Sequence, residues 1–388
     1  MAAFWKAFRS RNPAAETAQH ELEAEEQPRG GTSPVLIATF IVLAAMGGVI
    51  AWLALSAPPV PSPAAVSLSL GDTETILDLS EGRLSLDGAL TPPATDKRDV
   101  SDAEQKRVVS SLRILPAMRT ADGRLQLGPV PDPTLVQQSV VGPLPKIAED
   151  GAQSWHVYAH PFDSSDPRPK VAIVIGGMGL SRATTSAALK DLPPAISLAY
   201  TPYVQRLQDW IDQSRAYGHE VLLELPMEPH DFPENDPGPY ALLTELSAEE
   251  NTSRLEWLLS RFTGYVGVIN FLGAKFLTAE VALAPIVAEL KGRGLMIVDD
   301  SGSRRSMIAG LAGQIDMPFI VSDRRIDVEP DAAYIGRQLA ELEAVAIDRG
   351  FAVGVGSPYP VTVETLTTWA AGLAQRGIVL VPVSAGVR

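Results

Sequence analysis

The chain has 388 residues, 46% of them hydrophobic, with 32 prolines and no cysteine. Its 32 basic and 46 acidic residues give a formal charge of −14, which argues against nucleic acid or an anionic membrane surface as a partner. Without cysteine, disulfides, thiol nucleophiles and zinc–thiolate sites are excluded as well.

Residues 1–34 are polar and charged, with Glu21, Glu23, Glu25 and Glu26 close together, and read as a disordered cytoplasmic tail. Val35 to Leu55 is a stretch of 21 residues without a charge, about 31 Å as a helix and long enough to span a bilayer. Lys6, Arg9, Arg11 and Arg29 precede it, and the first basic residue after it is Arg83. That asymmetry predicts a single-pass inner-membrane protein with a cytoplasmic N-terminus and a periplasmic C-terminal domain. The apolar core exceeds the roughly 7–15 residues of a cleaved signal, so the span reads as a lasting anchor. Ala57 to Pro63 alternates prolines with small residues and reads as a stiff spacer. Residues 56–142 show no sustained period and read as a proline-rich, largely disordered linker, so the folded domain is expected over 143–388.

Within that domain His156-Val-Tyr-Ala-His160 alternates like an edge strand or an arm lying on the domain. An extended segment ending at Pro161 cannot set the two imidazoles side by side on a metal as a helix would. From Lys170 onward, short apolar, strand-like runs alternate with amphipathic stretches. The runs are Val171–Ile175, Ile196–Ala199, Val221–Leu225, Val266–Asn270, Leu295–Val298, Phe319–Val321, Ala352–Val355 and Ile378–Val381. Helical periodicity covers Tyr203–Tyr217, Ala248–Phe262, Ala279–Arg293, Ala332–Arg349 and Val363–Gln375, with Gly218, Gly264, Gly294, Gly350 and Gly377 as stops. Such alternation predicts an α/β fold on a parallel sheet, with seven or eight βα units in a closed or nearly closed (β/α) barrel.

Gly218-His-Glu-Val-Leu-Leu-Glu-Leu-Pro-Met-Glu-Pro229, Asn235-Asp-Pro-Gly-Pro239, Gly264-Tyr-Val-Gly-Val-Ile-Asn270 and Val381-Pro-Val-Ser384 resemble the divergent polysaccharide deacetylase family over about residues 143–388. The resemblance implies a NodB-like (β/α) barrel concerned with envelope carbohydrate. Active members of that wider group remove acetyl groups from sugars with a divalent metal, which polarises the acyl oxygen while an acid activates water. In the family pattern an aspartate pair closes the first strand, a histidine follows the asparagine, and a later Gly-His-Pro supplies another imidazole. Here those positions hold Gly176 and Gly177, Phe271, and Ser357. No metal is therefore expected; zinc would fit only a rearranged site.

The remaining polar groups at strand ends are Glu228 and His230 after Val221–Leu225, and Asp299 and Asp300 after Leu295–Val298. These four are the candidates for a rearranged acid/base or metal set, against loop bracing for the first two and helix capping for the second two. Met227, Glu228, Asn270, Phe271, Asp300 and Arg304 are the candidate substrate contacts, with Phe271 suited to stacking on a sugar face. Asp323-Arg-Arg-Ile-Asp327 reads as a salt-bridged surface, and His219, ahead of its strand, as structural. The expected function is a membrane-anchored, degenerate deacetylase-like protein binding envelope glycan or a periplasmic protein partner. The alternatives are an active hydrolase with a rearranged site, and a scaffold in an envelope assembly.

Overall fold

The computed structural model describes Leu115, residues 117–119 and residues 125–387, all of them within one compact unit. The tail over 1–34, the span over Val35–Leu55 and the spacer over Ala57–Pro63 lie outside the described residues. Among those described, no helix is long and apolar enough to cross a membrane.

The first strands, β1 (Met118–Arg119) and β2 (Leu125–Gln126), pair antiparallel, as do β3 (Val136–Ser139) and β4 (Gly142–Pro145). The folded region thus begins ahead of residue 143, and 125–142 is not disordered linker. Leu127 and Leu135 explain the correction: both are buried, and Leu135 joins the core inside the sheet. Isolated leucines between prolines give no period, so only their tertiary partners identify them as core.

The short helix α1 (Ser154–Val157) takes the first two residues of the segment read as an edge strand or an arm, and no strand forms over residues 156–160. Val157 N–H and Tyr158 N–H bond back to Gln153 and Ser154, and the turn drops both side chains into the core. There follow β5 (Lys170–Met178), α2 (Arg182–Asp191), β6 (Ser197–Tyr200), α3 (Leu207–Ala216), β7 (Val221–Met227), α4 (Ala248–Leu259), β8 (Gly267–Leu272), α5 (Glu280–Gly292) and β9 (Met296–Asp299). Next come α6 (Ile308–Gln314), β10 (Phe319–Val321), β11 (Arg324–Arg325), α7 (Ala332–Arg349), β12 (Phe351–Gly356), α8 (Pro360–Ala371) and β13 (Val379–Val381). Local chemistry sets the helix starts. Ser247 and Glu250 form a reciprocal capping box on α4, Ser181 and Asp331 cap α2 and α7, and Pro360 opens α8.

Nine strands, β5 to β13, form one parallel sheet in the order β10-β9-β8-β7-β6-β5-β12-β11, with β13 on the edge of β5 beside β6. The sheet is curled, and its two end strands are consecutive in the chain. Ser322 N–H bonds to Asp299 O on one side and Asp323 N–H to Val353 O on the other, each at 2.8 Å. Two residues therefore carry the chain from one end of the strand order to the other.

Alternation along the strands divides the core in two. Val171, Ile173 and Ile175 face outward onto the helices, with Leu198, Leu223, Val268 and Ile297. Ala172 and Val174 face inward, with Ala199, Leu222, Ile269, Val298, Val353 and Val355. Leu135, Ala148, Ala152, Val157 and Tyr158 close the inner core. They do so beside the strand starts, where Trp155 N–H reaches Gly294 O and the Arg215 guanidinium reaches Gly264 O. The strand C-termini form the other end, the mouth.

Candidate functional site

Extending the inward alternation by one step identifies the side chains at the mouth. It takes Val174 to Gly176 on β5, Leu222 to Glu224 on β7, Ile269 to Phe271 on β8, Val298 to Asp300 past β9, and Val355 to Ser357 past β12. On β11, Ile326 packs outward, so Arg325 turns in. All four positions that differ from the family pattern, Gly176 and its neighbour Gly177, Phe271 and Ser357, lie at this one end.

Glu224 fills the gap at the first of them. Its Oε1 accepts a hydrogen bond from Gly177 N–H at 2.6 Å, and a β-carbon on Gly176 would stand 2.7 Å from the same oxygen. The glycines that remove an acid from β5 thus admit one from β7. Burial pushes the Glu224 carboxyl up to about 7, against the opposing pull of Gly177 N–H and Arg325, while Asp300 raises it further.

Asp300 accepts from the Ser322 hydroxyl at 2.9 Å and forms an ion pair with Arg325. Burial raises its pKa, with Arg325 and Ser322 acting in the other direction. Asp327 accepts from Ser357 N–H at 2.6 Å and the Thr362 hydroxyl at 3.1 Å; burial raises it too, against those two bonds. Asn270 staples β8 to β9: its Oδ1 accepts from Asp300 N–H at 2.7 Å, and its Nδ2 donates to Leu272 O at 2.8 Å. That second bond braces a leucine with φ of 59°, in the left-handed region that L side chains avoid.

The sequence-derived candidates therefore separate. Asp300, Phe271 and Asn270 sit at the mouth. Asp299 is buried and accepts from Ser301 N–H at 2.9 Å, turning the chain after β9. Glu228 braces a loop: Oε1 pairs with Lys275 at 2.7 Å, and Oε2 accepts from Thr244 N–H and its hydroxyl, each at 2.7 Å. Burial raises its pKa, but these bonds outweigh it and hold the carboxyl below the ordinary range. His230 and Arg304 are exposed in loops, and Met227 is buried in the outer core. Among the described residues Glu228 and Asp300 share no hydrogen-bond partner. Arg325 and Asp327, read from sequence as surface, are a mouth residue and a buried one. Glu224 was not singled out. Its only sequence signal is a lone charge at an inward position of an otherwise apolar strand.

A divalent metal, implied by the wider fold group, does not fit these residues. It would need imidazole and carboxylate donors converging on one point. Of the five histidines, His20 lies outside the described residues and His230 is exposed. His219 is buried between Ile196 O and Leu189 O, and His160 bonds to Gly218 O at 2.7 Å. His156 lies on α1. Asp300 and Asp327 are committed to protein donors, and a guanidinium already supplies the positive charge. Among the described residues no three His, Asp or Glu side chains form a metal-holding group.

A family profile for divergent polysaccharide deacetylases matches residues 173–387. The uncharacterized protein ATU2773 of Agrobacterium tumefaciens C58, known from a crystal structure, is 37% identical with a TM-score of 0.62, covering 63% of this chain and 99% of that one. The uncharacterized protein YibQ of Escherichia coli (strain K12) is 24% identical over 197 residues, 51% of this chain and 61% of YibQ. An uncharacterized Haemophilus influenzae protein is 22% identical over the same length, covering 51% of this chain and 69% of that protein. The chain thus spans about three fifths of YibQ. On the profile match and the crystallographic relative together, the chain belongs to the divergent polysaccharide deacetylase family.

Proposed function

We propose that this chain binds envelope glycan at the mouth of the curled sheet and has exchanged metal-dependent deacetylation for recognition. The observation that carries the reading is the Asp300–Arg325 pair, which sets a guanidinium among the mouth carboxyls where a hydrolase of this fold needs a cation and imidazoles. A metal-free set of carboxyl, guanidinium and amide groups beside Phe271 suits a sugar, whose hydroxyls both donate and accept while its C–H face stacks on a ring. The uncharged stretch Val35–Leu55, with its basic N-terminal flank, supports inner-membrane anchoring with this domain in the periplasm. Binding of peptidoglycan and capsule-type oligosaccharides by the detergent-solubilised full chain tests the proposal. Affinity is expected to be the same with chelator and with added zinc, with no acetate released. Zinc-dependent acetate release would overturn it.

A second reading, a hydrolase rebuilt without metal, is favoured by the placement of Glu224, a buried carboxyl at the mouth held through one oxygen by Gly177 N–H, whose pKa burial pushes up to about 7, in the range of a general base. Acetate release that persists in chelator and vanishes in Glu224→Gln would establish that reading instead.

A further inference from the structure

We infer that the mouth takes a cationic sugar, a hexosamine whose nitrogen is a free ammonium, with that ammonium paired to Oε2 of Glu224. The inference rests on the proposed glycan binding and adds the charge of the ligand.

Glu224 is 7% exposed, and Oε1 is held by Gly177 N–H. Among the described residues Oε2 accepts no hydrogen bond, and the alternation of β7 aims the side chain into the mouth. The charges around it do not balance. Asp300 is matched by Arg325, and Asp327 is satisfied by Ser357 N–H and the Thr362 hydroxyl. β5 contributes only the uncharged Gly176 and Gly177, so Asp300 and Arg325 are the ionisable neighbours that act on Glu224. Glu224 is thus a buried mouth carboxylate with one backbone hydrogen bond and no ion pair among the described residues, and such a group acquires a proton or a cation. Its raised pKa agrees: in the unliganded protein the proton fills that role. A metal ion is poorly served by a single uncommitted oxygen, whereas one ammonium needs no more than one carboxylate and nearby hydroxyl or carbonyl acceptors. Phe271, half-buried at the same end, supplies an apolar wall for the ring that carries the amine.

Pairing would drive Glu224 to ionise, so at a pH below both groups' pKa values, where the sugar amine is already an ammonium, binding must release the carboxyl proton to the buffer. Titration calorimetry of the full chain in detergent, at about pH 5.5 in two buffers of different ionisation enthalpy, compares the β-1,4 glucosamine tetramer, there an ammonium, with its fully N-acetylated counterpart. The amine form is expected to bind about tenfold tighter or more, the scale of a close desolvated ion pair. Its heat is expected to depend on the buffer, and Glu224→Gln to remove both effects. Equal affinities for the two tetramers, or a preference that survives in Glu224→Gln, would overturn the inference and leave glycan binding standing. Binding of neither tetramer would overturn both. If the variant fails to fold, the wild-type heats decide: amine binding without proton release rejects the pairing.

Discussion

The Glu224 carboxylate occupies the space that a side chain on Gly176 would need, with 2.7 Å between its Oε1 and a β-carbon built on that glycine. The contact is with the tip of a flexible side chain, not with backbone. Gly176→Ala is therefore expected to cost less than about 1 kcal/mol in urea unfolding, because the carboxylate can swing aside. Swinging breaks the Gly177 hydrogen bond, so glycan affinity should fall as far in Gly176→Ala as in Glu224→Gln. A Gly176→Ala protein that binds normally would show that Glu224's position is incidental. Gly177→Ala differs, since φ is 70° there and any side chain costs about 1 kcal/mol of backbone strain.

The same carboxyl gives stability a pH dependence of known sign. Its folded pKa of about 7 lies above the ordinary 4.5, so between those values the folded state holds a proton that the unfolded state has lost. The contribution is full below about pH 4.5 and disappears as pH rises through 7, by about 3 kcal/mol for a shift of this size. Unfolding free energies at pH 5 and pH 8 should therefore fall more steeply for the wild type than for Glu224→Gln, and the variant should be the more stable protein at pH 8. Parallel profiles would mean that the carboxyl titrates normally.

Most of the sheet was legible because parallel strands buried on both faces read as near-continuous apolar runs, and each of the eight runs overlaps one of β5–β10, β12 or β13. β11 escaped notice because it is two arginines long, with pairing fixed by its neighbours and not by hydrophobicity. α6 lacks a side-chain cap and spans seven residues, too few for a periodic signal. At the site, Asp300 and Gly176 stood out because they sit at the ends of apolar runs. Glu224 lies inside one, and only the inward alternation set by the folded sheet brings it to the glycines. Arg325, in a five-residue charged stretch, looked like solvated surface until the chain crossing at Ser322–Asp323 turned it inward.

Glu228 and Arg325 should separate bracing from recognition. Glu228→Ala removes the partners of Lys275 and of both Thr244 donors, at an expected cost of about 1–3 kcal/mol, moderated because Lys275 is 40% exposed and can be hydrated. Its effect on glycan affinity should be small once the protein is folded. Arg325→Ala leaves Asp300 buried without its counter-charge and should cost about 2–3 kcal/mol at pH 8, the cost shrinking as pH falls because burial already raises the Asp300 pKa and a proton can replace the lost guanidinium. It should also change glycan affinity. Thermal unfolding and calorimetry on both variants check the pair; a large affinity loss in Glu228→Ala with unchanged stability would move the site to the 228–246 loop.

Arg215, at the opposite end, ties the segment ahead of β5 to the start of the sheet. Its guanidinium is buried and, among the described residues, forms no ion pair with a carboxylate. It donates to Gly128 O at 3.2 Å, Tyr158 O at 2.9 Å and Gly264 O at 3.5 Å, and lies over the Tyr158 ring at 5.4 Å from its centroid. Burial lowers its pKa to about 10, still charged at neutral pH, so the three carbonyls and the ring supply the polar surroundings that replace water. Arg215→Met keeps the apolar stem but orphans those carbonyls, at an expected cost of about 2–4 kcal/mol. The loss should be local: amide exchange should accelerate over residues 125–158 while β7 and β8 remain protected. Uniform acceleration across the sheet would instead make this segment an inseparable part of the sheet's folding unit.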